Sequence, residues 1–259
     1  MAGQPWVHAT GCRLGRALVG AVLLTAATEA EAATPGWRRI ELPATGAYAL
    51  RYVPPGLDQG QPAPVIVFLH GGGGPPEQYK LQLASPADTA GVVLLLPQSI
   101  SSLGFGPGDD EATIEEALRL LGEELALDEE RIALAGHSAG GAYAAVLAYA
   151  SRLRFSGVFI LAAPYRVVLT LADPNYVAPI RMYYGDQDPN FQGFHHQALA
   201  EQWDRLGVPW ELEVAPGYGH SSWPPATLPD GFAFLAAQRY GTGGGCRSSG
   251  NQLCLRRGP

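Results

Sequence analysis

The stretch GHSAG at residues 136–140 places a serine between two glycines, directly after the apolar run RIALA. This is the G-x-S-x-G pattern of a nucleophile elbow, in which a sharp turn between a strand and a helix exposes a serine hydroxyl. Glycines suit such a turn because side chains there would collide with neighbouring backbone. Ser138 is therefore a candidate nucleophile, and the alternative is a serine in an ordinary glycine-rich bend.

A serine hydroxyl needs a base to remove its proton, and histidine is the usual choice. The chain has six histidines. His220 lies in the loop APGYGHSSWPP, which follows the strand-like run WELEV. When a triad runs Ser, Asp, His along the chain, its histidine comes from the loop after the last strand. His220 is the predicted base, against the alternative of an exposed loop histidine. His137 stands beside the serine and is expected to point elsewhere on a tight turn.

The acid that orients the histidine should follow the strand before the last one. The stretch IRMYYGDQDPNF offers Asp186 and Asp188 at that place. Asp188 precedes Pro189 and lies farther out on the loop, where it can aim back toward His220. Asp186 can instead cap the turn after Gly185, a common task for aspartate. We therefore predict Asp188 as the acid.

A tetrahedral intermediate also needs backbone N–H donors aimed at its oxygen. The run HGGGG at 70–74 follows the strand-like run VIVFL, where glycines let amides face a ligand closely. The amides of Gly72 and Ala139 are the predicted oxyanion donors, and Gly73 is a further candidate. The alternatives are a plain flexible loop or a phosphate-binding loop. The second lacks both a following Gly-Lys-Ser/Thr and a G-x-G-x-x-G pattern.

Apolar runs of strand length alternate with helical patterns through the body of the chain. A hairpin is predicted over 37–56, and later strands at 65–70, 92–97, 131–136, 157–163, 180–185 and 210–214. Helices are predicted near 77–90, 112–125, 140–152, 193–207 and 226–239. Near-continuous apolarity indicates strands buried on both faces. We predict one α/β domain over 33–240, with a mostly parallel central sheet, helices on both faces and no large cap domain.

The first 32 residues read as a secretory signal peptide. Arg13 and Arg16 precede the apolar run ALVGAVLLTAA, and AEAA at 30–33 offers small residues for cleavage. The alternative is a buried helix, and the run is too short to span a bilayer. The pattern predicts a secreted or periplasmic protein.

The tail at 241–259 is rich in glycine and serine and holds Cys246 and Cys254. An even number of cysteines in an exported protein favours one small disulfide loop, and unpaired thiols are the alternative. Two cysteines with no neighbouring histidine supply too few ligands for a metal. A net charge of −7 and the absence of Lys/Arg-rich runs exclude a typical nucleic-acid-binding surface.

Taken together, these motifs resemble those of secreted α/β-hydrolase esterases, the group that includes polyhydroxybutyrate depolymerase-like, feruloyl esterase-like and phospholipase/carboxylesterase-like enzymes. The matching stretches are RYVPPG, VIVFLHGGGG, VVLLLPQS, LDEERIALAGHSAGGAYA, YYGDQDPNF and GYGHSSWP. The resemblance implies an α/β-hydrolase fold and assigns the acid to Asp188.

The resemblance further implies hydrolysis of a small or polymeric ester through an acyl-enzyme, with no metal or organic cofactor. Ser138 would attack, His220 would move the proton, and Trp223 is a candidate for lining the substrate pocket. One alternative is a serine peptidase of the prolyl-oligopeptidase kind, which usually carries a large extra N-terminal domain. The other is an inactive binding protein on the same fold, which predicts a broken triad.

Overall fold

The computed structural model describes residues 33–106, 108–164, 177–191 and 193–240, and only the backbone at residue 109 and residues 193–199. The predicted signal peptide at 1–32 lies outside these described residues. The predicted tail at 241–259, with its two cysteines, lies outside them as well.

Within the described residues, eight strands form one sheet in the order β1-β2-β4-β3-β5-β6-β7-β8. The strands are β1 Gly36–Leu42, β2 Ala47–Val53, β3 Ala63–Leu69, β4 Val93–Pro97, β5 Leu127–His137, β6 Val158–Leu161, β7 Ile180–Gly185 and β8 Trp210–Ala215. Strand β2 is antiparallel to both of its neighbours, and all other pairs are parallel. The predicted hairpin and the predicted parallel strands are all present.

The described residues also form five α-helices, the last of which follows β8. They are α1 Lys80–Ala90, α2 Asp109–Glu124, α3 Ala139–Ala150, α4 Gly193–Leu206 and α5 Thr227–Ala236, and a 3₁₀ turn at Pro76–Tyr79 leads into α1. Their bounds agree with the predicted helices to within a few residues. None of these described helices has the length and apolarity needed to cross a membrane.

The alternation of side chains along β3 shows why its sequence is apolar throughout. Val65, Val67 and Leu69 belong to a core shared with α2, α3 and α4. Ile66 and Phe68 belong to a second core on the other face, shared with α1 and α5. Each large apolar side chain buried in this way stabilises the fold by about 1.5–3 kcal/mol. The predicted α/β-hydrolase fold, with helices on both faces, is confirmed.

Strand β5 is longer than its apolar run predicts. It begins at Leu127 and includes the charged residues Asp128 and Glu130 before the buried segment starts. Arg239 forms ion pairs with both carboxylates, 3.1 Å from Asp128 and 2.7 Å from Glu130. Apolarity alone therefore underestimates the length of this strand.

The register of the parallel strands brings the predicted loops to one edge of the sheet. Leu69 pairs with Gly136 in β5, and Gly185 in β7 pairs with Ala215 in β8. The loops after β3, β5, β7 and β8 therefore leave the sheet at its carboxyl edge, where ligands bind in open α/β sheets.

Candidate active site

Ser138 stands on the sharp turn between β5 and α3. Its φ of 54° and ψ of −124° lie where non-glycine residues are rare and strained. The turn is held by two hydrogen bonds, from the Ser138 N–H to the Leu161 carbonyl at 2.8 Å and from the Ala142 N–H to the Ser138 carbonyl at 3.0 Å. The strain is therefore maintained by the surrounding sheet and helix, and it directs the hydroxyl outward from the sheet edge.

Glycine at position 140 lets α3 begin directly above β3. A Cβ atom at Gly140 would lie 2.2 Å from the Leu69 carbonyl oxygen and 2.4 Å from that of His70. Both neighbours are backbone atoms, which do not move as a side chain does. The second glycine of the GHSAG motif is thus required by a close approach of two elements.

His220 reaches Ser138 from the loop after β8. Its Nε2 atom lies 3.0 Å from the Ser138 Oγ atom, within hydrogen-bonding distance. Its Nδ1 atom lies 3.1 Å and 3.2 Å from the two oxygens of Asp188. When Nδ1 donates its proton to the carboxylate, Nε2 is free of hydrogen and can accept the serine proton.

The Asp188 carboxylate is buried, with no exposed side-chain surface. It accepts a second hydrogen bond from the Asn190 N–H at 2.8 Å, within its own loop. Two donors therefore compensate for the loss of water around this carboxylate. The Asn190 side chain donates to the Ala162 carbonyl and lies 3.3 Å from His220 Nδ1. No sequence signal pointed to Asn190.

Asp186 has a different task. Its Oδ1 atom accepts the N–H of Gly217 at 2.7 Å, and its own N–H donates to the Ala215 carbonyl at 3.0 Å. Asp186 thus ties the loop after β7 to the turn that leads into the His220 loop. The structure places Asp188, and not Asp186, beside His220.

The predicted oxyanion donors Gly72 and Ala139 are neighbours across the site. A Cβ atom on Gly72 would lie 3.9 Å from the Ala139 Cβ atom and 2.7 Å from the Leu103 carbonyl oxygen. No described residue accepts a hydrogen bond from either amide. The Gly73 N–H, by contrast, donates to the Ser102 carbonyl at 3.0 Å. That amide is already used, so the structure does not support a further donor at Gly73.

His70 holds the peptide that carries the Gly72 amide. Its Nε2 atom accepts the Ser99 N–H at 3.1 Å, so Nδ1 carries the proton and donates to the Gly71 carbonyl at 2.8 Å. In a trans peptide the carbonyl and the following N–H point in opposite directions. Fixing the Gly71 carbonyl therefore fixes the direction of the Gly72 N–H. Burial lowers the pKa of His70 and keeps the ring neutral.

His137 and Tyr79 are buried side chains at the wall of the site. Among the described residues, His137 directs its ring nitrogens away from the Ser138 hydroxyl, and its Nε2 atom lies 2.8 Å from the His220 carbonyl oxygen. Its Nδ1 atom lies 2.8 Å from the Tyr79 Oη atom. The expectation that His137 only points elsewhere is thus incomplete. Tyr79 carried no motif that would have singled it out.

A cavity of about 250 Å³ opens in front of Ser138 and His220. Its lining is mostly polar and includes Gln78, Gln82, Ser221 and the indole of Trp223. A second cavity of about 440 Å³ adjoins it and shares Gln82, Ser221 and Trp223. Trp223 therefore stands between two spaces, with its ring 5.7 Å from that of His137.

Chemically, the arrangement is a hydroxyl, a base and an acid in one hydrogen-bonded row, beside two backbone amides. Such a row can activate the hydroxyl for attack on an electrophilic carbon. Within the described part of the chain, no group of three or more His, Cys, Asp or Glu side chains is arranged to hold a metal ion.

Comparison with known proteins agrees with this fold. The chain resembles the structure of an S-formylglutathione hydrolase from Staphylococcus aureus at 15% identity and a TM-score of 0.61, over 80% of this chain and 98% of that one. A ferulic acid esterase shares 14% identity at a TM-score of 0.62, over 80% of this chain and 99% of that one. An ester hydrolase from the metagenome of Lake Arreo shares 19% identity at a TM-score of 0.62, over 80% and 84%.

Among curated protein sequences, no significant match is found. The model of the alpha/beta hydrolase family matches residues 66–238, which contain Ser138, Asp188 and His220. This match covers more than half of the 259 residues. The chain belongs to the alpha/beta hydrolase family.

Proposed function

We propose that the protein is a serine esterase that hydrolyses carboxylic esters through an acyl-enzyme. The observation that carries this proposal is the row from Ser138 Oγ to His220 Nε2 at 3.0 Å and from His220 Nδ1 to Asp188 at 3.1 Å. The row opens into a cavity that an ester can enter.

In the first half of the reaction, Ser138 Oγ attacks the ester carbonyl carbon while His220 Nε2 takes the hydroxyl proton. The carbonyl oxygen becomes an oxyanion, which the amides of Gly72 and Ala139 stabilise. The bond to the alcohol then breaks, and His220 returns the proton to the departing oxygen. The acyl group remains on Ser138 as an ester.

In the second half, a water molecule gives a proton to His220 Nε2 and attacks the acyl carbon. The same amides hold the second oxyanion until the bond to Ser138 breaks. His220 then reprotonates Ser138, and the carboxylic acid leaves. Asp188 orients the imidazole and stabilises its positive charge through both steps.

The structural relatives also support ester hydrolysis, because those compared above are described as an S-formylglutathione hydrolase, a ferulic acid esterase and an ester hydrolase. An inactive binding protein predicts a broken triad, whereas the three side chains here lie within hydrogen-bonding distance. No contact in the described residues specifically favours a peptidase.

The two cavities suggest how the substrate lies. The space of about 250 Å³ beside Ser138 would take the shorter part of the ester. The longer part would pass Trp223 into the adjoining space of about 440 Å³. Glutamine and serine side chains line the first cavity, whereas Pro86, Pro225 and Leu228 help to make the second one more apolar. An ester with a polar part near Ser138 and an apolar part beyond Trp223 therefore fits this path best. We therefore assign Trp223 to substrate binding.

The proposed place of action is outside the cytoplasm, in the periplasm or the medium. This proposal depends on the signal-like pattern of residues 1–32. N-terminal sequencing of the protein from periplasmic and culture fractions tests it. A mature N-terminus close to Ala33 is expected, and an uncleaved chain in the cytosol would contradict export.

The function is tested with purified protein, a panel of p-nitrophenyl esters and methyl ferulate, a peptide p-nitroanilide, and a fluorophosphonate probe. Ser138→Ala should abolish ester turnover and labelling. Ser156→Ala is the matched control, because this serine is also buried, donates its hydroxyl proton to the Ile132 carbonyl and lies outside the proposed triad, so both activities should remain intact. Faster cleavage of the anilide than of every ester would favour a peptidase. No labelling and no turnover in the unmodified protein would exclude a serine hydrolase.

A further inference from the structure

A row of hydrogen bonds connects the loop after β3, the turn after β5 and the loop after β8. The Tyr79 Oη atom lies 3.1 Å from the Gly71 nitrogen and 2.8 Å from His137 Nδ1. His137 Nε2 lies 2.8 Å from the His220 carbonyl oxygen. The row therefore begins in the oxyanion loop, passes through the residue before the nucleophile, and ends on the main chain of the base.

The partners determine where each proton lies. A carbonyl oxygen only accepts, so the His137 Nε2 atom carries a hydrogen and donates it to His220. In the neutral ring Nδ1 is then an acceptor, and the Tyr79 hydroxyl donates to it. The Tyr79 oxygen in turn accepts the Gly71 N–H. Every donor in this row meets one acceptor, in a single direction.

Both side chains are buried, His137 to 6% and Tyr79 to 5% exposure. Burial lowers the pKa of His137 and raises the pKa of Tyr79, so both are neutral near pH 7. In such surroundings an unpaired donor or acceptor costs about 1–3 kcal/mol. Breaking one hydrogen bond of the row would therefore leave a buried polar group unpaired, which favours keeping all of them.

The hydrogen bond from His137 links the main chain of His220 to the turn that carries the nucleophile. The His220 side chain contacts Ser138, while the His220 carbonyl is held by His137, the residue directly before that serine. Elsewhere in this loop, the Tyr218 carbonyl accepts the Gln187 N–H at 3.0 Å. His220 is thus fixed at both its main chain and its side chain relative to the nucleophile.

We infer that Tyr79 and His137 are positioning residues, which hold the main chain of His220 so that its Nε2 atom faces Ser138. Neither touches the reacting atoms through its hydrogen-bonding groups, and both act through His220 and Gly71. The inference rests on the proposed function, because positioning matters only where Ser138 and His220 react.

Variants at position 137 separate the two ends of the row. His137→Gln places an amide nitrogen near the original Nε2 atom and keeps the bond to His220. His137→Asn can place its amide oxygen near the original Nδ1 atom, where it accepts the Tyr79 hydroxyl, but it does not reach the His220 carbonyl. His137→Leu removes both bonds. We expect kcat to fall about 10- to 100-fold in the Asn and Leu variants, since misplacement by about 1 Å costs this much. The Gln variant should recover most of the rate.

Tyr79→Phe is tested beside Tyr149→Phe. Tyr149 is equally buried and donates its hydroxyl proton to the Ala178 backbone, so it controls for loss of a buried hydroxyl. We expect a lower kcat only for Tyr79→Phe. Because Tyr79 also lines the cavity in front of Ser138, KM is measured beside kcat, and a positioning role predicts that kcat falls more than KM changes. Tyr79→Phe and His137→Asn should be non-additive when combined, because both interrupt one row.

A second readout is independent of turnover. Nitrogen NMR at pH 7 should show a protonated Nε2 and an unprotonated Nδ1 on His137, and the Nδ1 resonance should shift in Tyr79→Phe. The opposite protonation would overturn the inference. So would full kcat in both His137→Asn and Tyr79→Phe, or a loss of kcat that only follows a lost folded fraction. No ester turnover in the unmodified protein would instead overturn the proposed function, and the NMR experiment would still test the row.

Discussion

The carboxylate of Asp186 accepts the Gly217 N–H at 2.7 Å and so links the loop after β7 to the loop after β8. Asp188, two residues later, lies 3.1 Å from His220. Two aspartates in one loop thus have separate tasks, since one holds the loops together and the other faces the base.

The two tasks predict different losses when each carboxylate becomes an amide. Asp188→Asn should lower kcat about 10⁴-fold, because an amide at this position favours the wrong imidazole tautomer. Asp186→Asn keeps an oxygen acceptor and should cost less than about 10-fold in kcat, with a stability loss of about 1 kcal/mol. Ester turnover and urea unfolding of both variants provide the comparison. Equal kcat values would contradict the assignment of Asp188.

Adding a methyl group at Gly140 should damage both stability and activity. The Cβ atom of Gly140→Ala would overlap the carbonyl oxygens of Leu69 and His70, so α3 or the oxyanion loop has to move. We expect a loss of about 3 kcal/mol in the free energy of unfolding. Gly56→Ala, where no atom lies within 4 Å of the added Cβ, should change stability by less than about 1 kcal/mol. Similar effects in the two variants would contradict the close approach seen here.

Trp223 should control the choice of substrate more than the rate of the chemistry. Trp223→Ala joins the two cavities, so KM should rise most for esters long enough to reach the second one, about 10-fold or more. For p-nitrophenyl acetate the change should stay within about 3-fold. Trp37→Ala truncates another partly buried indole, which lies in the edge strand β1 and packs on Tyr52 of β2. If both variants shift all substrates alike, Trp223 has no role in substrate choice.

Mild acid should destabilise the fold through two buried histidines. Burial lowers the pKa of His70 and of His137 below the ordinary value of 6.5. Near and below pH 6.5, these histidines bind protons more readily in the unfolded chain than in the folded one. The free energy of unfolding is therefore greatest above pH 6.5 and falls as the pH is lowered below it. Each histidine contributes a slope of up to about 1.4 kcal/mol per pH unit.

Urea unfolding between pH 5.5 and 7.5 measures this slope, in a range where ordinary carboxylates stay ionised. His137→Gln should remove the contribution of one histidine, and the slope should decrease accordingly. An unchanged slope would mean that His137 titrates alike in the folded and unfolded chain.

Local patterns in the sequence were sufficient for the fold and for the main parts of the site. Strand-length apolar runs such as VIVFL, separated by amphipathic helices, predict a covered parallel sheet because both faces of each strand must be buried. Parallel strands end at one edge, so loops after successive strands meet there. Ser138, His220 and the Gly72 loop were placed together for that reason, by their order relative to the strands.

The tertiary structure decided what depends on distances between atoms far apart in the chain. It assigned the Gly217 amide to Asp186, gave the Gly73 amide to Ser102, and brought His137 to the His220 carbonyl. Residues 137 and 220 are 83 positions apart, and no local pattern records which donor meets which acceptor across such a separation. These pairings arise only when the packed sheet brings its loops together and each buried polar group must find a partner.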